Sequence, residues 1–314
     1  MGDSLLEVEV LKKYFPYGKK QLRAVDGVSF KLDKGTTLGI VGESGSGKST
    51  VARLVLKLID ATEGNVRFKG KSIFDLSEKE LRNSRRNMQI IFQNPYLSLF
   101  PQLSIGANIE EPLIINNIGT SKERREMVLD LMDLVGVPRE YYYAFPHELS
   151  GGQQQRVGIA RALSLNPDLI ICDEPVSSLD VSIQAQILNL LQNLQKERNI
   201  SYVFIAHNLA VVEHISHNVA VMYLGKFVEL ASKEELYGNP AHPYTKALLE
   251  AVPVINANKE KEFKTISGEI PSPLNPPKGC RFCTRCPQAT DRCMEMEPEY
   301  RNLGNDHYVA CHFA

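Results

Sequence analysis

Residues 42–49 read GESGSGKS, and this Gly-x-x-x-x-Gly-Lys-Ser run decides the fold. The apolar stretch 37–41 precedes it and an amphipathic segment follows, which is the order of a strand, a loop and a helix. The glycines allow the backbone to turn so that successive N–H groups face one concavity at a helix N-terminus. The stretch therefore predicts a loop that binds nucleotide phosphates.

The residue types in this loop predict separate roles. Lys48 is placed to reach the β- and γ-phosphates of a nucleotide, and the Ser49 hydroxyl is placed to ligate Mg²⁺. The residues predicted to contact the nucleotide here are Gly42, Ser44, Gly45, Gly47, Lys48, Ser49 and Thr50.

Length and composition restrict the rest of the chain. Its 314 residues can form one main domain with an appendage, and a net charge of -1 provides no basic field to collect nucleic acid. We therefore expect no nucleic-acid partner. The start, MGDSLLEVEV, carries acidic residues where a signal peptide carries basic ones, and no run of about eighteen apolar residues follows. We expect a chain that is neither exported nor membrane-spanning.

The segments around the loop alternate or repeat in ways typical of strands and helices. Residues 6–11 and 25–32 alternate apolar and polar residues, which predicts strands before the loop. Val51, Leu54, Val55 and Leu58 share one face of a predicted helix after it.

Further along, residues 88–92 form a short apolar run that predicts a strand. Residues 121–137 carry helical periodicity, with Ser121 as the predicted N-cap, and indicate a helical subdomain. The apolar runs 169–173 and 202–206 are separated by the helix-like segment 181–198, as in a parallel sheet buried on both faces. The core is therefore predicted to be an α/β sandwich.

Two further motifs indicate which family of nucleotide-binding proteins the chain resembles. Residues 149–153 read LSGGQ and begin a helix-like segment, and residues 169–175 read LIICDEP. Together with the phosphate loop, these motifs resemble the signature and Walker B strand of ABC-type ATPases. The resemblance implies an ABC-type nucleotide-binding domain over residues 4–252, with a P-loop core sheet, an antiparallel β subdomain and a helical subdomain at about 95–160.

The resemblance also implies that ATP lies between two such domains. The phosphate loop of one domain would face the signature of the other, so that Ser150, Gly151, Gly152 and Gln153 approach the γ-phosphate from the opposite side. Asp180, in the SSLD run 177–180, resembles the residue of the loop that crosses the dimer interface. Tyr14 resembles the aromatic that stacks on adenine, with Phe15 and Tyr17 as alternatives.

Catalytic roles follow from the same resemblance. It implies that Asp173 holds Mg²⁺, that Glu174 polarises the attacking water, and that Gln93 in IFQNP senses both. His207 in FIAHN matches the histidine that contacts the γ-phosphate, although the family more often has an acidic residue where Asn208 stands. The implied Mg²⁺ ligands are Ser49, Gln93 and Asp173.

Residues 92–101, 239–253 and 273–287 resemble the ATP-binding subunits of dipeptide and oligopeptide importers. The resemblance implies a second similar ATPase subunit, two membrane permeases, an extracytoplasmic binding protein as an indirect partner, and a peripheral position at the cytoplasmic face of the membrane. Residues 94–112 would dock a permease helix, or else form a plain surface loop. Nickel or another small solute as cargo, and a soluble ABC ATPase without a permease, are the alternatives.

Five cysteines occupy the last part of the chain, at positions 280, 283, 286, 293 and 311. Disulfides are disfavoured without a signal peptide. Because residues 253–314 are too short and proline-rich to build a core of their own, they predict a separate module stabilised by a metal.

The importer resemblance implies a [4Fe-4S] cluster in this module, held by Cys280, Cys286, Cys293 and Cys311. Cys283 completes a Cys-x-x-Cys-x-x-Cys-Pro run and is an alternative ligand. Zinc is the alternative metal, with His307 or His312 in place of one thiolate. A redox sensor that gates the ATPase remains a further hypothesis. Cys172 is predicted to be only a small apolar residue of its strand.

Overall fold

A computed structural model of the protein describes residues 4–251 and 268–314. The strands of these residues are β1 Ser4–Tyr17, β2 Lys20–Asp33, β3 Thr37–Val41, β4 Glu63–Phe68, β5 Lys71–Ser72, β6 Met88–Ile91, β7 Leu169–Asp173, β8 Ser201–Ala206, β9 Asn218–Tyr223, β10 Lys226–Ser232, β11 Arg301–Asn302 and β12 Tyr308–Val309. The α-helices are α1 Lys48–Val55, α2 Glu78–Arg86, α3 Pro95–Ser98, α4 Ile105–Ile115, α5 Ser121–Val135, α6 Gly151–Leu163, α7 Val181–Arg198, α8 Leu209–Ile215, α9 Lys233–Gly238, α10 Pro243–Glu250 and α11 Asp291–Glu295. Short 3₁₀ helices cover Arg139–Tyr143 and Pro146–Glu148.

The central sheet has eight strands in the order β11-β12-β10-β9-β3-β8-β7-β6. Strands β6, β7, β8, β3 and β9 run parallel, and β10 turns back antiparallel to β9. Every residue of β3 and β8 is buried, as expected for apolar strands covered on both faces. The predicted α/β architecture is therefore confirmed.

A second, antiparallel sheet has the order β2-β1-β4-β5. It shares one hydrophobic core with α1 and one face of the central sheet, whereas the other face packs against the helical part of the chain. Helices α3 to α6 form that part and lie between residues 95 and 163. Within the described residues, no helix has the length and apolar character needed to cross a bilayer.

Two local predictions about helix ends were wrong. Thr120 is the N-cap of α5, because its side chain accepts the Glu123 N–H and Glu123 accepts the Thr120 N–H in return, so Ser121 is the first helical residue. Helix α1 stops at Val55, and Lys57 adopts a φ of 49° beyond it. Leu58 is therefore 49% exposed and does not share the buried face of the helix.

The described part of the C-terminal tail is built onto the central sheet. Strand β12 pairs antiparallel with β10, with Val309 opposite Glu229, and β11 pairs with β12. The fully buried Glu229 accepts N–H groups of Ala241 and His242 and lies 2.8 Å from His307 Nε2. Residues 268–314 thus share sheet and core with the rest of the chain, and their division into a separate module stays a prediction. The boundary predicted at 252/253 lies outside the described residues.

Candidate functional site

The phosphate loop connects the end of β3 to the start of α1. Gly47 has a φ of 108°, and a Cβ placed on it would lie 2.1 Å from the Ala24 carbonyl oxygen. A Cβ on Gly42 would lie 2.1 Å from the carbonyl oxygen of Met222. Both positions accept only glycine, because neighbouring backbone fills the space where a side chain would begin.

Lys48 closes this loop from inside. Its Nζ donates to the carbonyl oxygens of Gly42, at 2.8 Å, and Glu43, at 3.0 Å, and the residue is 4% exposed. Burial lowers the pKa of Lys48, although the nearby carboxylates of Glu174 and Asp173 oppose this change. Its third partner is the Ser46 hydroxyl, at 3.5 Å, and a buried cation whose hydrogen-bond acceptors are all neutral is suited to receive phosphate oxygens.

Ser49 and Asp173 are in contact beside this lysine. The Ser49 hydroxyl donates to Asp173 Oδ1 at 2.8 Å, and burial raises the pKa of Asp173. A hydroxyl oxygen next to a half-buried carboxylate fits Mg²⁺, which prefers oxygen ligands and takes few of them from the protein. Among residues 4–251 and 268–314, no group of three or more His, Cys, Asp or Glu side chains could hold a metal ion alone. The remaining Mg²⁺ ligands would therefore come from the substrate phosphates and water.

Gln93, Glu174 and His207 converge next to this pair. They follow β6, β7 and β8 respectively, so the carboxyl ends of neighbouring parallel strands bring them together. Gln93 Nε2 donates to Glu174 Oε2 at 2.9 Å, and His207 Nδ1 lies 3.5 Å from the same oxygen. Gln93 thus binds Glu174, and its role as a Mg²⁺ ligand beside Ser49 and Asp173 stays a prediction.

Glu174 is held in an uncommon backbone conformation. Its φ is 50°, and its N–H donates to the Ile205 carbonyl of β8 at 3.0 Å. Such positive φ values in residues other than glycine cost free energy and concentrate at functional sites. A cavity of about 30 Å³ lies between Glu174, His207 and Gln184, which is enough room for a water molecule.

Asn208 stands where the resemblance favours an acidic residue. Its side chain accepts the Ala210 N–H at 2.9 Å and so caps the start of α8. Asparagine and aspartate serve equally well as N-caps. The departure at this position therefore leaves the local conformation after His207 intact.

The LSGGQ and SSLD motifs lie at the starts of α6 and α7. Ser150 and Gln153 form a capping box, and Asp180 accepts the Ile183 N–H at 3.0 Å as the N-cap of α7. A Cβ on Gly152 would lie 2.7 Å from a methyl carbon of Ile183, so the two helix starts are in close contact. No hydrogen bond or ion pair within the described residues connects either motif to the phosphate loop of the same chain.

Tyr14 is connected to the phosphate loop through the neighbouring strand. It pairs with Arg23 in the antiparallel sheet, and Arg23 precedes Ala24, whose carbonyl approaches Gly47. Its hydroxyl donates to Asp26, and burial together with this bond raises the pKa of Tyr14 to about 12. Tyr17, in contrast, is 64% exposed at the end of its strand.

The five tail cysteines gather in one region and are free thiols, as is Cys172. The Cys280 N–H donates to the Cys293 carbonyl at 2.8 Å, and the Cys283 N–H donates to the Cys280 carbonyl at 3.1 Å. Burial raises the pKa of Cys280 to about 12, and the neighbouring thiols of Cys283, Cys293 and Cys311 add to this increase. The thiols are therefore near one another, but among the described residues no three of them form a group that could hold a metal ion.

The histidines considered as zinc ligands are engaged elsewhere. His307 is bound to the buried Glu229, and His312 Nε2 lies 2.9 Å from the Met296 carbonyl oxygen. The replacement of a thiolate by one of these histidines stays a prediction. Cys172 is fully buried in β7, as expected of a small apolar residue.

Sequence reasoning missed four charged residues that border this site. Asp26 and Glu43 pair with Arg281 and Arg285 of the tail, across 255 and 242 residues of sequence. No local pattern marks such pairs, because their partners meet only in the folded chain.

Comparisons with known proteins agree with this geometry. The ABC transporter family model matches residues 25–177, and the model for the oligopeptide/dipeptide transporter C-terminal region matches residues 228–293. The oligopeptide transport ATP-binding protein AppF of Bacillus subtilis is 53% identical, over 99% of this chain and 97% of the relative. The dipeptide transport ATP-binding protein DppF of Haemophilus influenzae is 49% identical, over 98% of this chain and 96% of the relative.

Solved structures give the same result. A dimeric ATP-binding cassette in a post-hydrolysis state, bound to ADP and Pi, superposes with a TM-score of 0.66 at 31% identity, over 73% of this chain and 98% of that one. The cbiO1 component of an ABC transporter complex from Clostridium perfringens has a TM-score of 0.68 at 29% identity, over 76% of this chain and 92% of that one. Fold, site and matches together define an ABC-type ATPase. The chain belongs to the family of oligopeptide and dipeptide transport ATP-binding proteins.

Proposed function

We propose that this chain hydrolyses ATP to power the import of dipeptides or oligopeptides through a membrane ABC transporter. The observation that carries the hydrolytic part is the convergence of Gln93, Glu174 and His207 beside the buried Lys48. The names of the relatives AppF and DppF support peptides as the cargo.

In this mechanism the chain positions groups around the terminal phosphate and neutralises its charge. Lys48 exchanges its carbonyl partners for β- and γ-phosphate oxygens, and Tyr14 packs on the adenine ring. Ser49 and Asp173 would hold Mg²⁺, which would supply positive charge next to the phosphates. Glu174 orients the attacking water and polarises its O–H bond as a general base. Gln93 holds the Glu174 carboxylate in position, and His207 contacts the γ-phosphate.

A second ATPase subunit completes the site. Among the described residues, Ser150 to Gln153 and Asp180 lie at helix starts and make no hydrogen bond or ion pair with their own phosphate loop, so they are available to the nucleotide of a neighbour. The fold shared with a dimeric cassette supports this arrangement. The partner subunit is either a second copy or a similar ATPase.

The permease side is proposed to be the surface of residues 94–112. A groove of about 300 Å³ runs beside this segment, with Phe92, Glu111, Ile115 and Arg161 in its wall. Phe92, Tyr96 and Ile115 are exposed apolar side chains there, as expected of a surface that receives a helix. Contact with a permease at this surface would place the chain peripherally at the cytoplasmic face of the membrane. The complete transporter would contain two permeases, with an extracytoplasmic binding protein as an indirect partner.

The tail is proposed to hold a [4Fe-4S] cluster through Cys280, Cys286, Cys293 and Cys311, with Cys283 as the alternative ligand. The mutual proximity of these thiols supports the proposal, but no three of the described side chains form a metal site, so binding of the cluster would have to draw the sulfur atoms together. When bound, the cluster would provide cross-links between parts of the tail. A brown protein with iron and sulfide after anaerobic purification supports this proposal, whereas a colourless protein with stoichiometric zinc overturns it.

Reconstitution tests the transport function. The protein, its partner ATPase and the permeases are placed in vesicles together with the binding protein, and ATP hydrolysis is measured with dipeptides, longer peptides or Ni²⁺. We expect peptides to stimulate hydrolysis and peptide uptake to require ATP. Stimulation by Ni²⁺ and not by peptides would assign the chain to the alternative cargo.

A further inference from the structure

We propose that Arg281 and Arg285, which alternate with the cysteines of the tail, are positioning residues for the nucleotide site. Arg285 fixes the phosphate loop through Glu43, and Arg281 fixes the adenine side of the site through Asp26 and Tyr14. This inference rests on the nucleotide site proposed above and adds to it two residues from the far end of the chain.

The first connection is a bidentate ion pair on the phosphate loop. The two terminal nitrogens of Arg285 lie 2.7 and 3.0 Å from the two carboxylate oxygens of Glu43. Arg285 also donates to the Tyr223 hydroxyl at 3.3 Å, and its side chain is 5% exposed. Paired, forked hydrogen bonds of this kind fix orientation as well as distance. The side chain of Glu43 is therefore held in one place.

Glu43 is the second residue of the phosphate loop, so its position sets that of the loop. Its N–H donates to the Tyr244 hydroxyl at 3.0 Å, and its carbonyl accepts Lys48 Nζ. Side chain, N–H and carbonyl of one residue are thus bound to the tail, to α10 and to the phosphate-binding lysine. A shift of Arg285 would be transmitted to Lys48 through a single residue.

The second connection reaches the adenine side. Arg281, which is 5% exposed, donates to one carboxylate oxygen of Asp26, and the other oxygen accepts the Tyr14 hydroxyl. Lys226 and Arg23 lie 3.8 Å from the same carboxylate. Burial alone would raise the pKa of Asp26, but these partners lower it below its usual value. The charged Asp26 therefore bridges the tail and the tyrosine ring.

The segment that carries both arginines is anchored in the core. Phe282 lies between them in sequence, is 1% exposed, and packs 5.3 Å from the rings of both Tyr223 and Tyr244. Cys280, Cys283 and Cys286 alternate with the arginines in the same short run. A change in how these cysteines are held would therefore reach the nucleotide site through the two ion pairs.

The two connections predict different losses in the full-length protein. The probes are a non-hydrolysable ATP analogue and tripolyphosphate, both titrated by calorimetry. Arg285→Gln is expected to weaken the affinity for both ligands about tenfold. This is the loss expected when the phosphate loop adopts its binding conformation in about a tenth of the molecules. Arg281→Lys is expected to weaken the ATP analogue about tenfold and to leave tripolyphosphate unchanged, because it acts on the tyrosine ring. Arg292→Lys, an exposed position of the same tail, is the matched control.

Substitutions on the loop side test the same connections if the arginine variants do not fold. Glu43→Gln is expected to weaken both ligands, as Arg285→Gln does. Tyr14→Phe removes only the hydroxyl bond to Asp26 and is expected to weaken the ATP analogue alone, as Arg281→Lys does. The inference is overturned if folded variants bind both ligands as the wild type does. It is also overturned if the Arg281 and Arg285 variants both weaken the binding of the two ligands to the same extent, because a general loss of stability would have that effect. A wild-type protein that binds neither ligand would refute the proposed nucleotide site itself.

Discussion

Replacement of Glu174 by glutamine separates nucleotide binding from hydrolysis. Glutamine keeps the shape of the side chain and one oxygen that can accept the Gln93 amide, so the contact of 2.9 Å can persist. The main-chain conformation also persists, because neither the hydrogen bond from the Glu174 N–H to the Ile205 carbonyl nor the positive φ of Glu174 depends on the carboxylate. What disappears is the negative charge beside the small cavity that is large enough for water.

The size of the effect follows from that single loss. A positioned general base contributes about 10²- to 10⁴-fold to a rate, or about 3–5 kcal/mol of transition-state stabilisation. We therefore expect turnover to fall by that factor, ATP affinity to stay within about threefold, and the free energy of unfolding to change by less than about 1 kcal/mol. Because bound ATP is no longer consumed, the paired subunits should accumulate in a closed complex.

Phosphate release at saturating Mg-ATP measures turnover, calorimetry measures binding, and size exclusion with ATP in the buffer reports association. Glu197→Gln, at an exposed position of α7, is the matched control and should behave as the wild type. Turnover of Glu174→Gln within about threefold of the wild type would remove Glu174 from the mechanism. Equal losses of binding and turnover would instead show that the side chain acts in binding.

Four further substitutions test the phosphate loop and the packing behind it. Gly47→Ala should destabilise the protein by about 2–5 kcal/mol in urea unfolding, from left-handed strain plus the contact with the Ala24 carbonyl. Gly45→Ala, where the new Cβ meets nothing within 4 Å, should cost only about 1–2 kcal/mol, and equal costs would contradict the geometry. Lys48→Ala should weaken ATP binding about 10- to 100-fold in a titration, and unchanged affinity would exclude Lys48 from phosphate binding. Burial lowers the pKa of His242 from 6.5 to about 3, so its contribution to stability is complete above pH 6.5 and falls by up to about 1.4 kcal/mol per pH unit as the pH drops toward 3. His242→Asn retains an N-cap acceptor for the Tyr244 N–H and should flatten that slope between pH 6.5 and 4.

Short, local patterns made much of this fold predictable. The apolar run 169–173 is strand β7, and the segment 181–198 is helix α7, at the residues that periodicity indicated. Glu174 and His207 meet because parallel strands end at one edge of a sheet, a rule that needs no knowledge of the full structure. For these residues, motif and topology were sufficient.

Other features depend on contacts that no local pattern records. Thr120 and Ser121 both suit an N-cap, and the choice is settled by the reach of Glu123 back to the cap. The pairing of β12 with β10 could not be predicted, because β12 has only two residues and is too short to be recognised as a strand. Similarly, an arginine in a cysteine-rich run is unremarkable until its partner at the other end of the chain, such as Asp26, is known.

The attachment of β12 to β10 has a consequence for experiments with shortened chains. Strand β10 spans seven residues, and the tail supplies backbone partners on the outer side of residues 228–230. A protein ending at residue 251 would present those unpaired N–H and C=O groups to any similar chain and so invite intermolecular strand addition. If such a truncated protein were inactive or precipitated, the cause would be the exposed edge of β10 and not the loss of the thiols. Full-length proteins with single cysteine replacements are therefore the better route to the role of the thiols.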